Sequence, residues 1–225
     1  MKRNFGCLLF IALLGIGVQK HGYSANIELD WISQQQRSAV GRLDDVFVTA
    51  ATSSEAQFLS VVGGRFSGTA WNTERPLSAD AEGLVVSDAN PGDTHTFVFT
   101  QPIPDLLFYV ENFDSNSSAT ITAEGTGSFS LLEGSPSISY SATSDRSGVL
   151  STSNSTFNGE GDLVLSLQGS VESISLDFSS GDGQNGVFYT FAIAPEPSGI
   201  ALLLLGTVLL GTLRGRRNQL AVGRQ

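Results

Sequence analysis

Few residues in this chain could do chemistry, and a single histidine stands first among them. His95 is one of two histidines in 225 residues, and a Ser-His-Asp hydrolase would need it as base, oriented by Asp93 or Asp105. No Gly-x-Ser-x-Gly elbow accompanies it, and the start of a predicted strand is an ordinary place for a surface histidine. The one cysteine is Cys7. These counts argue against Cys/His zinc sites, cysteine nucleophiles and paired-histidine catalysis.

Carboxylates are plentiful, so a pair of them is the next candidate for catalysis. Glycoside hydrolysis uses two carboxyl groups on either side of the scissile bond. The nearest pairs in the sequence are Glu111 with Asp114 and Glu160 with Asp162. Chance pairs are expected among 22 acidic residues, and we therefore predict no catalytic residues and a protein that is not an enzyme.

Calcium is the ligand that the acidic stretches favour most. Ca²⁺ takes about six to eight oxygens from carboxylates, amide carbonyls and the backbone. Such groups cluster near turns in residues 111–116 and 177–185. Neither stretch has the full EF-hand pattern, so we predict no metal ligands and no cofactor. For these stretches a structural calcium ion and a solvated acidic loop remain alternatives.

Two tryptophans offer a different kind of site. Trp31 and Trp71 could form a platform for a sugar ring, which would suit a carbohydrate-binding or adhesion module. In a β domain of this size two tryptophans are more often core residues. The platform and the core therefore remain alternatives.

The charge of the central region excludes whole classes of partner. Residues 26–194 hold 21 of the 22 acidic residues and five of the 12 basic ones, a net charge of −16, with no lysine. Such a domain repels nucleic acid and anionic lipid headgroups. We expect no nucleic-acid partner.

The elements that must position these residues are predicted to be strands. Residues 26–194 are rich in Ser, Thr and Gly and show short alternating runs between turn residues, a pattern typical of an all-β sandwich or barrel. We predict one acidic β-sandwich domain, with 29–40 as the only stretch able to hold a helical turn or two and 141–161 as exposed loops or weak edge strands. The predicted strands are 46–49, 57–62, 95–100, 106–111, 119–123, 137–140, 162–167, 171–178 and 187–193.

The N-terminus has the layout of a secretory signal peptide. Lys2 and Arg3 precede an apolar stretch over residues 5–18, and a polar segment follows it. We predict that residues 1–25 form a signal helix that is removed by cleavage between Ala25 and Asn26.

The C-terminus carries an apolar segment with charged flanks. Residues 199–213 are uncharged and would rise about 22 Å as a helix, which is short of the roughly 30 Å hydrocarbon core but tolerable with local thinning. Arg214, Arg216 and Arg217 follow, and basic residues beside a span stay on the cytoplasmic side. We predict a transmembrane helix with residues 218–225 as a cytoplasmic tail; a buried core helix is the alternative.

The triplet Pro195, Glu196 and Pro197, the apolar span and the arginine cluster together resemble the PEP-CTERM sorting signal of exported bacterial proteins, here over residues 195–217. The resemblance implies that an exosortase, an integral-membrane enzyme, recognises the triplet and removes the tail. It also implies a membrane-anchored precursor, a mature protein at the cell surface or in the extracellular matrix, and a jelly-roll-like ectodomain. A carbohydrate-binding module that contacts exopolysaccharide and a secreted glycoside hydrolase remain alternative functions.

Overall fold

The computed structural model describes residues 27–53, 59–63, 77–87, 90–113, 116–152, 161–180 and 186–193. This part of the chain is all-β, and its 13 strands belong to one large antiparallel sheet. It contains no helix with the length and hydrophobicity that a membrane span requires. The predicted signal peptide and sorting signal, including Ala25, Asn26 and residues 195–225, lie outside the described residues.

In chain order the strands are β1 (Ile27–Glu28), β2 (Asp30–Gln34), β3 (Ser38–Leu43), β4 (Val46–Thr52), β5 (Leu59–Gly63), β6 (Glu82–Val86), β7 (Thr94–Phe113), β8 (Ser118–Gly125), β9 (Ser128–Gly134), β10 (Ile138–Ser144), β11 (Ser147–Thr152), β12 (Gly161–Ser180) and β13 (Val187–Ile193).

Two strands of 20 residues, β7 and β12, pair with each other and run through the whole sheet. The beginning of β7 pairs with β4, and the end of β12 pairs with β8. The end of β7 pairs with β13, and the beginning of β12 pairs with β9. The sheet therefore has two halves: a first half around residues 94–99 and 171–180, and a second half around 106–113 and 161–167.

The sheet bends where the two halves meet, and its backbone is irregular there. The pairing of β7 with β12 shifts register between Leu167 and Ser170 and again just beyond. Gly169 has a φ of 95° and Asp105 one of 48°. The chain passes from β8 to β9 beside this bend at Gly125, where φ is 120° and a Cβ atom would lie 2.1 Å from the Ser170 carbonyl oxygen. Only glycine fits this position.

Aromatic rings from the two halves meet in one core. The Phe97 ring of the first half lies 5.9 Å from that of Phe108 and 5.0 Å from that of Phe191, both in the second half. Phe108 and Phe191 stack at 4.9 Å. Rings from both halves therefore belong to one core, in the geometries that aromatic pairs prefer.

Several predicted elements are confirmed. β4, β5, β8, β10 and β13 coincide with predicted strands within a few residues. The alternation over 171–178 is also confirmed, since its inward positions are buried: Val171, Ile174, Leu176 and Phe178.

Other predictions were wrong. Residues 95–100 and 106–111 were predicted to be separate strands, but they belong to one strand, β7. Pro102 and Pro104 lie at its bend, where the register of the pairing with β12 shifts and a missing N–H is tolerated. Residues 162–167 and 171–178 likewise belong to one strand, β12. The helical turns considered for 29–40 are β2 and β3. For 141–161 we expected exposed loops or weak edge strands, and up to Thr152 the second alternative is right, because β10 is an edge strand paired with β11. β6 and β9 were not predicted.

Candidate functional site

The outer face of the first half carries a groove in which half of the lining residues bear hydroxyl groups. Alternation along each strand turns Thr96 of β7, Ser175 of β12 and Thr122 of β8 to the same side, and the register places them in one row. Neighbouring strands are spaced by about 4.8 Å, so the row presents a hydroxyl at each step across the sheet. The groove has a volume of about 500 Å³. Its lining residues are Thr96, Val98, Phe99, Thr100, Pro102, Thr122, Glu124, Glu172, Ser173 and Ser175.

A second cavity of about 530 Å³ continues this groove, because both are lined by Thr122, Glu124 and Glu172. The second cavity adds Arg146, whose Nη1 donates to the Gly125 carbonyl oxygen at 2.8 Å. Within the groove Ser173 Oγ donates to Glu124 Oε2 at 3.2 Å. Val98 supplies an apolar surface and is 48% exposed. Carboxylates, hydroxyls and a small apolar surface are the groups that hydrogen-bond to and pack against a polyol.

A second feature is a β-bulge near the end of β7. Leu163 pairs with Val110 and Gly161 pairs with Phe113, so Glu111 and Asn112 together lie opposite Asp162. We call Glu111, Asn112 and Asp162 the bulge rung.

Hydrogen bonds tie the bulge rung together. The Asn112 backbone N–H donates to Asp162 Oδ1 at 2.9 Å, and its side-chain Nδ2 donates to the Gly186 carbonyl oxygen at 2.6 Å. Asn112 has a φ of 61°, a conformation that asparagine tolerates better than most residues. Glu111 and Asn112 are buried, at 8% and 5% exposed. Asn112 is therefore hydrogen-bonded to both Asp162 and Gly186 at this end of the sheet.

His95 is a core residue, and the expectation of a surface histidine was wrong. It is fully buried, its Nδ1 lies 2.7 Å from the Tyr189 hydroxyl, and its ring lies 4.7 Å from that of Phe178. Burial lowers the pKa of His95 to about 3, because a charged imidazole would lose its hydration in the core. The neutral, enclosed ring has no solvent-exposed face to offer a substrate.

The acids considered as partners of His95 have other roles. Asp93 Oδ2 accepts a hydrogen bond from the Asn90 backbone N–H at 2.8 Å, in the turn before β7. Asp105 is exposed at the bend of the sheet, where its Oδ1 lies 3.5 Å from the Gly169 nitrogen. A triad around His95 has no support in these contacts.

The remaining predicted residues are only partly described. Trp31 is 6% exposed and packs in the core, so it is not a sugar platform; Trp71 lies outside the described residues. Of the two carboxylate pairs, Glu111 and Asp162 are described, while Asp114 and Glu160 are not. In the second calcium stretch, Asp177 Oδ1 accepts a hydrogen bond from Thr94 Oγ1 at 2.8 Å. No cluster of three His, Cys, Asp or Glu side chains able to hold a metal occurs within the described ranges.

The structure brings together two carboxylates that the sequence analysis did not pair. Glu124 on β8 and Glu172 on β12 line the same groove although they are 48 positions apart in the chain. Their proximity depends on the register between β8 and β12, in which Ser173 lies opposite Glu124. The alternating pattern predicts which face each strand exposes, but no pattern in the sequence encodes that register.

Comparison with known proteins adds no relative to these observations: no family model, curated protein or solved structure matches the chain.

Proposed function

We propose that this chain is an exported cell-surface or extracellular-matrix protein, anchored by a C-terminal PEP-CTERM signal and processed there by an exosortase-type membrane enzyme. The observation that carries the proposal is the order of the triplet Pro195–Pro197, the uncharged span 199–213 and the arginine cluster. The fold supports it, because β13 ends at Ile193 and only Ala194 separates that strand from the triplet. In this proposal the β domain lies between an N-terminal signal peptide and a C-terminal sorting signal.

The roles of the sorting residues follow from the same proposal. Pro195, Glu196 and Pro197 are the recognition motif, residues 199–213 retain the precursor in the inner membrane, and Arg214, Arg216 and Arg217 orient it. Ala25 and Asn26 flank the signal-peptidase site. After both cleavages the β domain is the whole mature protein.

For the β domain we propose a β-sandwich of jelly-roll-like type that acts by interaction and not by catalysis. The support for a sandwich is the contact between Phe97 of one half and Phe108 and Phe191 of the other. The support for a non-catalytic role is the enclosure of His95, the residue on which a hydrolase triad would depend.

The experiment that tests the sorting proposal is intact-mass measurement of the native protein after fractionation of its own cells. We expect a mature mass that begins at Asn26 and ends near Pro197, in the surface or matrix fraction. A membrane-bound mass that retains residues 214–225 would mean a permanently anchored ectodomain. Deleting Pro195–Pro197 is expected to leave the precursor uncleaved, and equal tail removal with and without the triplet would overturn the recognition role.

A second candidate function, binding of a neutral polysaccharide, is favoured by the hydroxyl-lined groove of the first half. Its Ser and Thr side chains, Glu124 and Glu172 offer hydrogen-bond donors and acceptors to sugar hydroxyls, and Val98 offers an apolar surface to a sugar face. The net charge of −16 over residues 26–194 disfavours anionic glycans.

The groove is tested by retention of the protein on neutral exopolysaccharide in affinity electrophoresis. A Glu124→Gln/Glu172→Gln variant is expected to lose retention, whereas Asp80→Asn, which removes an exposed carboxylate outside the groove, is expected to keep it. Equal retention of both variants would remove the groove as the binding site. Release of sugar by the native protein, abolished in the double variant, would instead assign the glycoside hydrolase.

A further inference from the structure

Strand β10 lies at one end of the sheet, and only one of its two edges is occupied. Among the described strands it pairs with β11 alone. The Thr152 N–H of β11 donates to the Ser117 carbonyl oxygen at 3.0 Å, on the side of β11 that faces β8. Backbone groups of successive residues point to opposite sides of a strand, so the register directs those of Tyr140 and Ala142 away from β11. Their N–H and C=O groups can therefore bond to a further strand.

The side chains of β10 leave this edge uncovered. The Tyr140 ring leans over β11, where a Cβ atom on Gly148 would lie 2.2 Å from Tyr140 Cε2. Ser139 Oγ donates to the Ser151 carbonyl oxygen at 3.2 Å, again toward β11. Five of the seven residues of β10 are exposed, and the strand has none of the charged residues or prolines that protect edge strands. An open edge of this kind suits the addition of a strand.

The charge of the domain favours a second copy of this chain as the source of the added strand. Residues 26–194 carry a net charge of −16, so two copies repel each other over most of their surfaces. Residues 134–152, which include β10 and β11, hold one acidic and one basic residue, Asp145 and Arg146, and so have no net charge. An acidic copy can approach this edge without the repulsion that it meets elsewhere, whereas a basic partner would be attracted to the acidic surfaces.

The sequence of β10 is also compatible with antiparallel pairing to itself. Apolar and hydroxyl side chains alternate along it from Ile138 to Thr143. A twofold axis at Ser141 would place Tyr140 opposite Ala142 of the second copy, so that their outward N–H and C=O groups bond to each other. The two Ser141 residues would face each other at a Cα–Cα distance of about 4.5 Å, the spacing of a non-hydrogen-bonded pair. In this register hydroxyl side chains meet hydroxyl side chains, and apolar side chains meet apolar ones.

We propose that the free edge of β10 is a self-association site, at which two copies of this chain pair into one continuous sheet. The twofold axis uses the edges of both copies, so assembly through this site stops at the dimer. The register shift between Ala142 and Ser144 keeps the paired stretch short. We expect a weak dimer with a Kd on the order of 10⁻⁴ to 10⁻³ M, as for interfaces at the small end of the size range. The site lies on the folded domain and does not depend on how the C-terminal tail is sorted.

The test is disulfide trapping of the full chain in detergent micelles, in a Cys7→Ser background so that an introduced cysteine is the only thiol. Ser141→Cys is expected to form a covalent dimer on mild oxidation with copper phenanthroline, because the two thiols face each other across the axis. Ser139→Cys is the matched control, exposed on the same face of the same strand. Its two copies would be more than about 13 Å apart, too far for a disulfide, and we expect dimer formation at least tenfold slower.

A second measurement, amide hydrogen exchange, does not depend on introduced thiols. Exchange at Tyr140 and Ala142 of the native chain is expected to be about twofold slower at about 1 mM than at about 10 µM protein. Ser141→Glu places two carboxylates opposite each other and is expected to remove this difference. Thr49→Glu adds the same charge at an exposed position of β4, inside the sheet, and is expected to keep it.

Three results would overturn the proposal. One is an equal rate of dimer formation for Ser141→Cys and Ser139→Cys. Another is exchange at Tyr140 and Ala142 that does not change with protein concentration, and strong protection already at about 10 µM would mean that a segment of the same chain covers the edge. The third is a concentration effect that Thr49→Glu removes as completely as Ser141→Glu.

Discussion

The burial of His95 makes the stability of the domain depend on pH. In the folded state the pKa of His95 is lowered to about 3 by burial, from an ordinary value of 6.5. Between these two values the unfolded chain binds a proton that the folded chain does not. Stability therefore increases with pH across this window and is lost as the pH falls below about 6.5.

The loss of stability depends on how far the pH lies below 6.5, the pKa of the histidine in the unfolded chain. One pKa unit corresponds to about 1.4 kcal/mol, so at pH 5 the contribution of His95 lowers the free energy of unfolding by about 2 kcal/mol. For a domain of this size that is a decrease in Tm of about 4–8 °C. A variant without the imidazole isolates the contribution of His95 from that of the rest of the protein.

A double variant, His95→Phe with Tyr189→Phe, removes both partners of the 2.7 Å hydrogen bond and leaves two rings in place. Replacing both partners by apolar groups of similar shape is close to neutral, so we expect similar stability at pH 7.5. At pH 5 the double variant is expected to be more stable relative to the native protein by about 2 kcal/mol. The assay is urea unfolding of both proteins from pH 7.5 to 4.5. Parallel stability curves over that range would refute the burial of a neutral His95.

Two further substitutions test the bend and the core, each with its own control. Gly125→Ala is expected to lower the free energy of unfolding by about 3 kcal/mol or more, because the added Cβ would meet the Ser170 backbone oxygen. Gly63→Ala is the control: it has open space around it and is expected to change stability by no more than about 1 kcal/mol. Equal Tm values for the two variants would contradict the bend. Phe97→Ala is expected to lower the free energy of unfolding in urea by about 3–5 kcal/mol, because Phe97 is buried. Phe47 is 46% exposed, so Phe47→Ala is expected to cost about 0.5 kcal/mol. Similar losses for the two variants would contradict the shared core.

The strand content could be predicted from the sequence because burial on one face of a strand leaves a period of two. Over 171–178 that period identifies the inward residues correctly, and the same rule would have placed His95 in the core. His95, Phe97 and Phe99 alternate with outward residues, and all three are buried. A histidine at the start of a strand is often exposed, but here the period of two places it on the buried face of β7.

The bend and the groove could not be predicted from the sequence, because both depend on pairing between distant segments. Prolines 102 and 104 usually end a strand, and here they are accommodated because β7 shifts register against β12 at that point. The proximity of Glu124 to Glu172 and that of Asn112 to Asp162 likewise come from register, across 48 and 50 positions. Local patterns specify faces, whereas register is specified by the packing of the whole sheet.

The two ends of the β domain are joined in the sheet, which bears on how the proposed processing would proceed. β1 pairs with β13 through Ile27 opposite Ile193 and Glu28 opposite Ala192. β13 also pairs with β7, and Phe191 belongs to the shared core. An exosortase that recognises Pro195–Pro197 would therefore act two residues beyond a core strand that also holds the mature N-terminus. Folding of the domain and access to the triplet are then linked, because any enzyme that needs more than a few extended residues before the triplet must first detach β13 from β1 and β7. A flexible insertion between Ile193 and Pro195 would remove that link without altering the triplet.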